Sequence, residues 1–485
     1  MAIKHGVYVS ESDTAIQVPQ EATASVQVII GTAPVHMVDD PSAVVNKPVL
    51  ATSATEAMKK LGYVADFSKY TLCQSMYLAS NLNPVGPMVF INVLDPDTHK
   101  TALTSKAYQV NQKQAVVDTE GVIRKNLVVT TGSGNDTATL EENTDFTLSY
   151  DENGYLVITL LADSEYADAT SLTVSGYKVD VTGITAATIV GGVNPSTGAE
   201  TGIEVVRQVF PKLGIVPGLI LAPGWSQNPT VGLALIAKAT LLNGVFRSMA
   251  LVDLDTSTCT KYEDTKTAKE SSGYTSPHSY VLWPCDKIGD KIFAKSAVVG
   301  CCVQYYDTAN GDIPYRSPSN KNIGITGQCL ADGTEVVLDQ DQANIVNGFG
   351  VTTAINVNGW RIWGNYTGAF PGSGDAKDIW FPVRRMFNWQ GNTFILTYFA
   401  MVDDPMNRRL IDTIVDSENI RCGALVPEVW AGAAIHYFAD DNPITDILAG
   451  KITFRQEIAP YTPAQDIENI LSYDIEMLKT ALGGE

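Results

Sequence analysis

Apolar runs and amphipathic segments alternate over the first hundred residues of the chain. Val26–Gly31 and Met88–Val93 are almost wholly apolar, a pattern typical of buried strands. Between them, Thr55–Leu61 and Lys69–Leu82 carry apolar residues at helical spacing. Strand, helix and strand in this order predict an α/β layer with parallel pairing over residues 23–96.

The pattern changes close to residue 97, where helical spacing gives way to short β-rich runs separated by turn residues. Thr144–Tyr150 and Tyr155–Leu161 flank Asn153-Gly154, a dipeptide that favours a tight β-hairpin. We therefore expect residues 97–199 to form a β-sandwich that is inserted into the α/β domain.

The α/β pattern resumes at residue 200, so residues 200–355 are predicted to complete the interrupted domain. The predicted strands are Leu219–Ala222, Ser248–Asp253 and Ser279–Trp283, and the predicted helices are Pro229–Leu242 and Ala294–Tyr306.

The amino terminus is predicted to be an arm, residues 1–22. It holds one short strand with no local hairpin partner, and a lone strand cannot satisfy its own backbone groups. That strand must pair with a distant element or with another chain; its core residues are Gly6, Val7, Tyr8 and Val9.

The last segment, residues 461–485, fits two patterns. Large side chains alternate with polar ones, as in a half-buried strand, at Leu471, Tyr473, Ile475 and Met477. Helical spacing also fits the segment, through Ile467, Ile470, Leu471, Ile475 and Leu478. Periodicity alone leaves both alternatives open.

Composition and charge narrow the function. A chain of 485 residues is too long for one core. Its net charge of −20 would repel phosphates, so nucleic acid is not an expected partner. Seven cysteines include no Cys-x-x-Cys pair and the five histidines are isolated, which predicts reduced thiols and neither metal nor cofactor. No apolar run is suited to membrane insertion.

One fragment has a catalytic counterpart. Arg247-Ser248-Met249-Ala250 is similar to the segment around the nucleophile of subtilisin, but Arg247 and Val252 depart from that pattern. A serine nucleophile needs a histidine base, and no histidine lies between Leu103 and Pro277. We therefore expect no enzyme activity; the alternative is a soluble serine hydrolase with a β-sandwich binding module.

The last quarter of the chain carries the most specific motifs. They are Gly359–Asn365 with Arg384-Arg385, then Pro405–Arg409, then Ile452–Pro460 followed by Pro463–Glu468. Together these motifs resemble the carboxyl-terminal domain of contractile tail sheath proteins of bacteriophages and of R-type bacteriocin particles, which are phage-tail-like.

The resemblance implies a multidomain α/β and β fold. Residues 200–355 would be a subtilisin-like α/β domain with the inserted β-sandwich before it. Residues 356–460 would be an α+β sheath domain, followed by the carboxyl-terminal arm. Both terminal strands would be exchanged with neighbouring copies, and the resemblance also favours a strand at Leu471–Met477.

The implied function is that of a structural subunit. Copies would polymerise as stacked hexameric rings around a tail tube protein and contract to drive the tube through a target envelope. Baseplate and tail terminator proteins would be further partners. Assembly would take place in the host bacterial cytoplasm, and the product would be a virion or a phage-tail-like particle.

Two arginine pairs are predicted to act at subunit contacts. Arg384, Arg385, Arg408 and Arg409 would form inter-subunit or tube-facing charges, or would be solvated and paired with nearby acids. Exposed ion pairs contribute about 0–1 kcal/mol each. Repetition over many contacts would still bias one lattice against another.

Overall fold

The structure is a computed structural model that describes residues 20–132 and 136–483. The predicted strand Gly6–Val9 lies outside the described residues. The first described elements are β1 (Gln27–Gly31), β2 (Pro48–Ala51), α1 (Ala54–Leu61), α2 (Leu72–Asn81) and β3 (Met88–Asn92). These confirm the strands and helices expected here. Ser53 begins α1 by accepting a hydrogen bond from the Glu56 amide, and Gly62 ends it at φ +76°.

The described part of the inserted segment is built mainly from β-strands as far as Val179. Its strands are β4 (Lys100–Gln109), β5 (Gln114–Glu120), β6 (Val128–Thr131), β7 (Ala138–Thr139), β8 (Phe146–Tyr150), β9 (Tyr155–Leu160) and β10 (Ser171–Val179). They form one sheet in the order β4-β10-β6-β7 and a second in the order β5-β9-β8. The two sheets share one apolar cluster, which includes Val117, Leu156 and Val174. The predicted hairpin at Asn153-Gly154 is confirmed by the antiparallel pairing of β8 with β9.

A tyrosine fastens this insertion to the α/β layer. The Tyr150 hydroxyl donates to the carbonyl oxygens of His36 and Val122, and its ring meets the His36 ring edge to face at 5.8 Å. Gly154 lies so close to the layer that an added Cβ would come within 2.7 Å of Val64. The insertion is therefore seated on the α/β layer at a defined site, and the two are not joined by covalent links alone.

The second α/β segment begins with short elements. They are α3 (Ala186–Val190), β11 (Gly192–Val193), β12 (Glu200–Thr201), α4 (Val209–Leu213), β13 (Leu219–Leu221), α5 (Pro229–Thr240), β14 (Met249–Asp253), α6 (Thr265–Ser272) and β15 (Ser279–Leu282). Ile184 and Ile189 belong to the main apolar cluster. The insertion thus ends at Val179, and the boundary predicted at residue 199 is too late.

A six-stranded sheet organises the α/β layer, in the order β15-β14-β13-β1-β3-β2. Its pairings are parallel except for the edge pair β2–β3. Because crossover helices cover both faces of such a sheet, its strands can be apolar throughout. Every residue of β1 and of β14 is buried. This explains why uninterrupted apolar runs located these strands correctly.

Further strands and helices follow in the chain. They are β16 (Cys285–Ile288), β17 (Lys291–Phe293), α7 (Lys295–Ala309), β18 (Gly327–Cys329), β19 (Glu335–Val336) and α8 (Gln340–Gly348). Apolar patterning predicted only α7 among them. The strands form a sheet in the order β17-β16-β18-β19. Charged residues interrupt the apolar pattern here, and two of them, Asp286 and Lys295, are buried and paired with each other.

The carboxyl-terminal part opens with the hairpin of β20 (Thr353–Asn356) and β21 (Trp360–Trp363). Then come α9 (Ala376–Ile379), α10 (Phe381–Tyr398), α11 (Arg408–Gly423), β22 (Trp430–His436), α12 (Ile444–Leu448), β23 (Arg455–Pro460) and α13 (Ile475–Ala481). Ala354 and Ile362 pack in the main apolar cluster. The first hairpin therefore belongs to the α/β core, and the boundary predicted at residue 356 cuts through it.

We expect the insertion to fold without the rest of the chain. A fragment of residues 98–181 keeps both sheets and their shared apolar cluster, whereas residues 184–190 pack in the main core. Circular dichroism should report β structure and one cooperative thermal transition. A fragment extended to residue 195 should gain nothing in stability. A disordered 98–181 fragment would contradict an independent domain.

We expect acid to loosen the contact between insertion and core through His36. Burial lowers the pKa of His36 to about 3 from its usual 6.5. The ring is therefore neutral in the folded chain, and this stability is present above pH 6.5 and is lost as pH falls towards 3. The thermal midpoint of the intact chain should fall between pH 6.5 and pH 4.

His36→Phe keeps an aromatic ring against Tyr70 and Tyr150 but cannot take up a proton. Its thermal midpoint should change less with pH over that window. Some slope should remain, because burial also lowers the pKa of His278 to about 4. Identical pH profiles for the wild type and the variant would refute the role of His36.

Candidate assembly surface

Exposed apolar side chains are concentrated at the carboxyl-terminal end. Among the described residues, twenty-seven large hydrophobic side chains are exposed, and sixteen of these lie between Phe399 and Leu482. Isolated exposed hydrophobics are ordinary on a protein surface, but a dense group marks a surface that another molecule covers. Residues 399–483 are therefore the candidate assembly surface.

The densest group lies on the carboxyl-terminal tail, residues 461–483, which follows β23. Leu471 is 87% exposed and Ile467 is 84% exposed. Among the described residues, the hydrogen bonds that join the tail to the body lie near its start. Tyr461 donates to the Pro427 carbonyl oxygen at 2.9 Å, and the Gln465 side chain bonds those of Asn365 and Tyr366. From residue 467 onward every described residue is exposed.

The predicted strand in this tail is absent from the described chain. Leu471 and Tyr473 lie in irregular backbone, whereas Ile475 and Met477 lie in α13. Asp474 caps this helix by accepting hydrogen bonds from the amides of Glu476 and Met477. A helix satisfies its own backbone groups and a lone strand cannot, so a helix is the stable form where no partner strand is available. In the single chain only Ile475–Ala481 is helical, while residues 467–474 are neither helix nor strand, so neither alternative describes the whole segment. The exchange of these residues stays a prediction.

A two-stranded antiparallel sheet stands close to the base of the tail. It consists of β22 and β23, and β23 runs directly into the tail. α11 packs against β22, and the Asn419 side chain bonds both backbone groups of Ile435, the donor at 2.9 Å and the acceptor at 3.1 Å. Within residues 20–132 and 136–483, β23 pairs with no strand other than β22. Its outer edge is therefore open to a further strand.

A buried carboxylate fixes this sheet to the helices behind it. Glu418 of α11 accepts hydrogen bonds from Arg421 at 2.6 Å, from Gln456 of β23 at 2.8 Å and from Gln390 of α10 at 2.5 Å. Burial acts to raise the pKa of Glu418, but the hydrogen bonds outweigh it and the pKa lies below its usual value. Glu418 is thus a buried anion whose charge is compensated, and the open edge is held on rigid elements.

The root of the amino-terminal arm meets the same region. The amides of Gln20 and Ala22 donate to the hydroxyls of Thr397 and Thr393 on α10, each at 3.1 Å. Ala22 and Ala24 pack in one apolar cluster with Met386, Trp389, Cys422, Val429 and Trp430. Trp430 begins β22, so the arm root, the open sheet and the start of the tail share a small part of the molecule.

Arg384 and Arg385 are not surface charges, which corrects the prediction for this pair. Arg385 is 2% exposed, forms an ion pair with Asp307 of α7 and donates to the Ala24 carbonyl oxygen at 3.0 Å. Arg384 is also buried and bonds Asp378 at 3.0 Å. Helix α10 is buried on several sides, and sequence spacing does not reveal which arginines face inward.

Arg408 and Arg409 are exposed at the start of α11, as predicted. Arg408 forms an ion pair with Asp412 one turn later, at 2.9 Å. Such a pair contributes little to stability. Whether these two arginines act at a subunit contact stays a prediction.

Burial explains why Ser248 has no nucleophilic role. It is 1% exposed, so a substrate does not reach its hydroxyl. His278 lies nearby, but its Nδ1 bonds the Ser248 backbone carbonyl oxygen at 3.1 Å, where Asn388 also donates. The histidine therefore fixes the backbone and does not activate the hydroxyl.

No helix in residues 20–132 and 136–483 has the length and apolar character needed to cross a membrane. Across the same residues, His, Cys, Asp and Glu side chains form no group able to hold a metal ion.

Sequence reasoning missed the Glu418 network and the Arg385–Asp307 pair. Each joins residues distant in the chain, and charged side chains ordinarily indicate solvent. The sequence does hold one signal for the Glu418 network. Arg421 and Cys422 follow Glu418 by three and four residues, so all three lie on one face of α11, and the apolar Cys422 indicates that this face is buried.

Comparison with known proteins gives a consistent result. No protein-family model matches the chain. It is 25% identical over 503 aligned residues to the tail sheath protein of Burkholderia phage BcepMu, covering 99% of this chain and 98% of that protein. It is also 25% identical to the major tail sheath protein of Serratia phage KSP20, over 61% of this chain and 74% of the relative.

The fold has a solved counterpart. The helical sheath of the anti-feeding prophage in its contracted state matches with a TM-score of 0.58 over 97% of this chain and 99% of that chain, at 13% identity. This likeness shows a shared mixed α/β fold with several sheets. The predicted resemblance to contractile tail sheath proteins is therefore confirmed. The relatives are structural tail sheath proteins and not enzymes, which confirms the expectation of a non-enzymatic protein.

We expect Arg385→Ala to destabilise the isolated chain by about 3–5 kcal/mol, because it leaves Asp307 buried without its partner. Burial raises the pKa of Asp307 to about 6 even with Arg385 beside it. Without the arginine the pKa rises further, so the carboxyl group either stays charged without a partner or takes up a proton on folding, and both cost stability. Arg409→Ala, on the exposed start of α11, is the matched control and should change stability by no more than about 0.5 kcal/mol. Denaturant titration measures both. Equal effects of the two substitutions would refute the internal role of Arg385.

Proposed function

We propose that this chain is a subunit of a contractile tail sheath that polymerises by pairing its terminal segments with neighbouring copies. The tail carries the proposal, because residues 467–482 hold eight large apolar side chains, all of them exposed. At about 25 cal/mol per Å² of apolar surface buried, covering such side chains supplies a large driving force for association. A tail with this many exposed apolar side chains is expected to be covered by a neighbouring copy in the assembly.

The acceptor is the open sheet of β22 and β23. Its outer edge presents unpaired backbone groups, and an extended segment of another copy satisfies them by adding a strand. The donated segments are Gly6–Val9 at the amino end and Leu471–Met477 at the carboxyl end. On binding, α13 exchanges its internal hydrogen bonds for hydrogen bonds to the acceptor sheet.

The position of donors and acceptor favours head-to-tail assembly. Both arms leave the chain next to the cluster around Trp389 and Trp430, where the acceptor sheet also stands. Each copy therefore donates one segment and receives another, which makes the contact head-to-tail. Contacts of this kind form a ring where the rotation between copies closes and a helical lattice where it does not. Stacked hexameric rings around a tail tube protein are the assembly we infer, with baseplate and terminator proteins at its ends.

The arms also account for contraction. Strand pairs that are tethered by extended linkers permit subunits to rotate while the pairs stay formed. The sheath then moves between two lattices without disassembly and drives the tube through the target envelope. We place assembly in the host bacterial cytoplasm and the finished sheath in a virion or a phage-tail-like particle.

The middle of the chain serves as the frame of this subunit. We assign its parallel sheet with flanking helices to a subtilisin-like domain without protease function, and we assign the inserted β domain to the outer surface of the sheath. The buried position of Ser248 supports the loss of protease function.

We expect Leu471→Asp to abolish assembly while leaving the monomer intact. A charge at this position cannot be buried in an exchanged strand without a large cost, whereas Leu471 makes no buried contact in its own chain. The thermal midpoint of the monomer should be unchanged. Electron microscopy of the concentrated protein should show cylinders for the wild type and none for the variant.

Ser472→Asp is the matched control, because alternate residues of a strand point to opposite faces. It introduces the same charge one residue away and should assemble normally. If both variants assemble, the tail is not an inter-subunit strand. If both fail, net charge and not strand register governs assembly. Failure of the wild type to form cylinders would reject the sheath function itself.

A further inference from the structure

Two cysteines lie directly opposite each other in the small sheet beside the α/β layer. β16 and β18 pair antiparallel, with Cys285 opposite Cys329 and Asp286 opposite Gln328. Opposed residues point to the same face and have Cα atoms about 4.5–5.5 Å apart. A disulfide spans Cα separations of about 4.4–6.8 Å. The backbone therefore already has the spacing that a cross-strand disulfide requires.

The two thiols differ in access. Cys329 is fully buried, whereas Cys285 is partly exposed. Cys285 lines a crevice of about 730 Å³ together with Asp253, Thr256 and Ala331. A small disulfide in solution therefore reaches Cys285 first, and Cys329 lies behind it on the adjacent strand.

Both thiols are protected from rapid oxidation. Burial raises the pKa of Cys285 to about 12 and also raises that of Cys329. Since the thiolate is the reactive form, exchange is slow at neutral pH and accelerates with rising pH. The pair stays reduced in a reducing cytosol and reacts on a longer timescale in an oxidising medium.

We propose that Cys285 and Cys329 are a site of late oxidation, closed into a cross-strand disulfide by a low-molecular-weight disulfide such as oxidised glutathione. The Cys285 thiolate attacks one glutathione sulfur, forming a mixed disulfide and releasing one glutathione thiolate. The Cys329 thiolate then attacks the Cys285 sulfur and releases the second. Two protein thiols are oxidised, one oxidised glutathione is reduced to two thiols, and the two protein protons pass to the released thiolates.

The bond stabilises the region that connects core and arm root. It closes the chain between residues 285 and 329, which contains all of α7. α7 packs against β13 and β14 and carries Asp307, the partner of Arg385. Closing a loop of this length restricts the unfolded chain and so favours the folded one. Only the timing of oxidation, after release from the cell, rests on the proposed sheath function; the chemistry belongs to the single chain.

The test uses the full chain treated with oxidised glutathione at pH 7 and at pH 8.5, followed by non-reducing peptide mapping. We expect a linked Cys285–Cys329 peptide, formed faster at the higher pH, and a rise of several degrees in the thermal midpoint that dithiothreitol reverses. Absence of the linked peptide from the folded protein, or linkage through Cys301 or Cys302 in its place, overturns the proposal.

Single serine variants identify the order of the steps. Cys329→Ser should trap one glutathione on Cys285, whereas Cys285→Ser should remain unmodified at Cys329. A glutathione adduct on Cys329 in the second variant would contradict the assigned order. If either variant fails to fold, the peptide map of the wild type still decides the proposal. None of these readouts requires cylinders, so failure here and failure of the sheath function are distinguishable.

Discussion

The buried ion pair between Arg385 and Asp307 fixes the geometry on which the candidate site depends. It joins α10 to α7 of the α/β core, and the same guanidinium holds the Ala24 carbonyl oxygen at the arm root. A buried charge without its partner is expensive, so this arrangement has few alternatives of similar energy. The positions of the chain at Ala24 and of α10, which lies behind the sheet of β22 and β23, are therefore fixed relative to the core. Glu418 likewise joins α11 to β23, because its carboxylate accepts a hydrogen bond from Gln456.

This rigidity contrasts with the tail. The body of the chain compensates its buried charges, as at Glu418 and Asp286, whereas residues 467–482 leave their apolar side chains in solvent. Because the core of the chain is well packed, poor packing does not explain the apolar surface that residues 467–482 leave exposed. The exposed apolar surface of the tail is therefore typical of a surface that contacts another molecule. Under the proposed function, association covers these side chains.

Sequence patterns correctly predicted strands that are buried on both faces and a hairpin that has a clear turn signal. β1 and β14 are buried on both faces, so their apolar runs are unambiguous, and the Asn153-Gly154 turn marks its hairpin for a local steric reason. Patterns failed where polar residues are buried. β16 was not predicted because Asp286 interrupts its apolar pattern, and Arg385 was predicted to be a surface charge, since the partners that permit their burial are remote in sequence. The arms were predicted because their strand patterns lack a local partner, and they stay predictions. The open edge of the sheet of β22 and β23 was not predicted, because it is a property of the folded chain.

The ambiguity of the last segment is itself informative. Its side chains fit a helix and a strand about equally, and the single chain adopts α13, the form that satisfies its own backbone. A partner sheet removes that advantage, because it supplies the same hydrogen bonds to a strand and covers Leu471 and Tyr473 as well. The conformation of the tail then depends on what is bound, not on its own propensity. Under the proposed strand exchange, the net charge of −20 would oppose premature contacts between free copies and favour exchange at a preformed end of the lattice. A sequence poised between two periods thus suits a segment that must stay single in solution and pair only in an assembly.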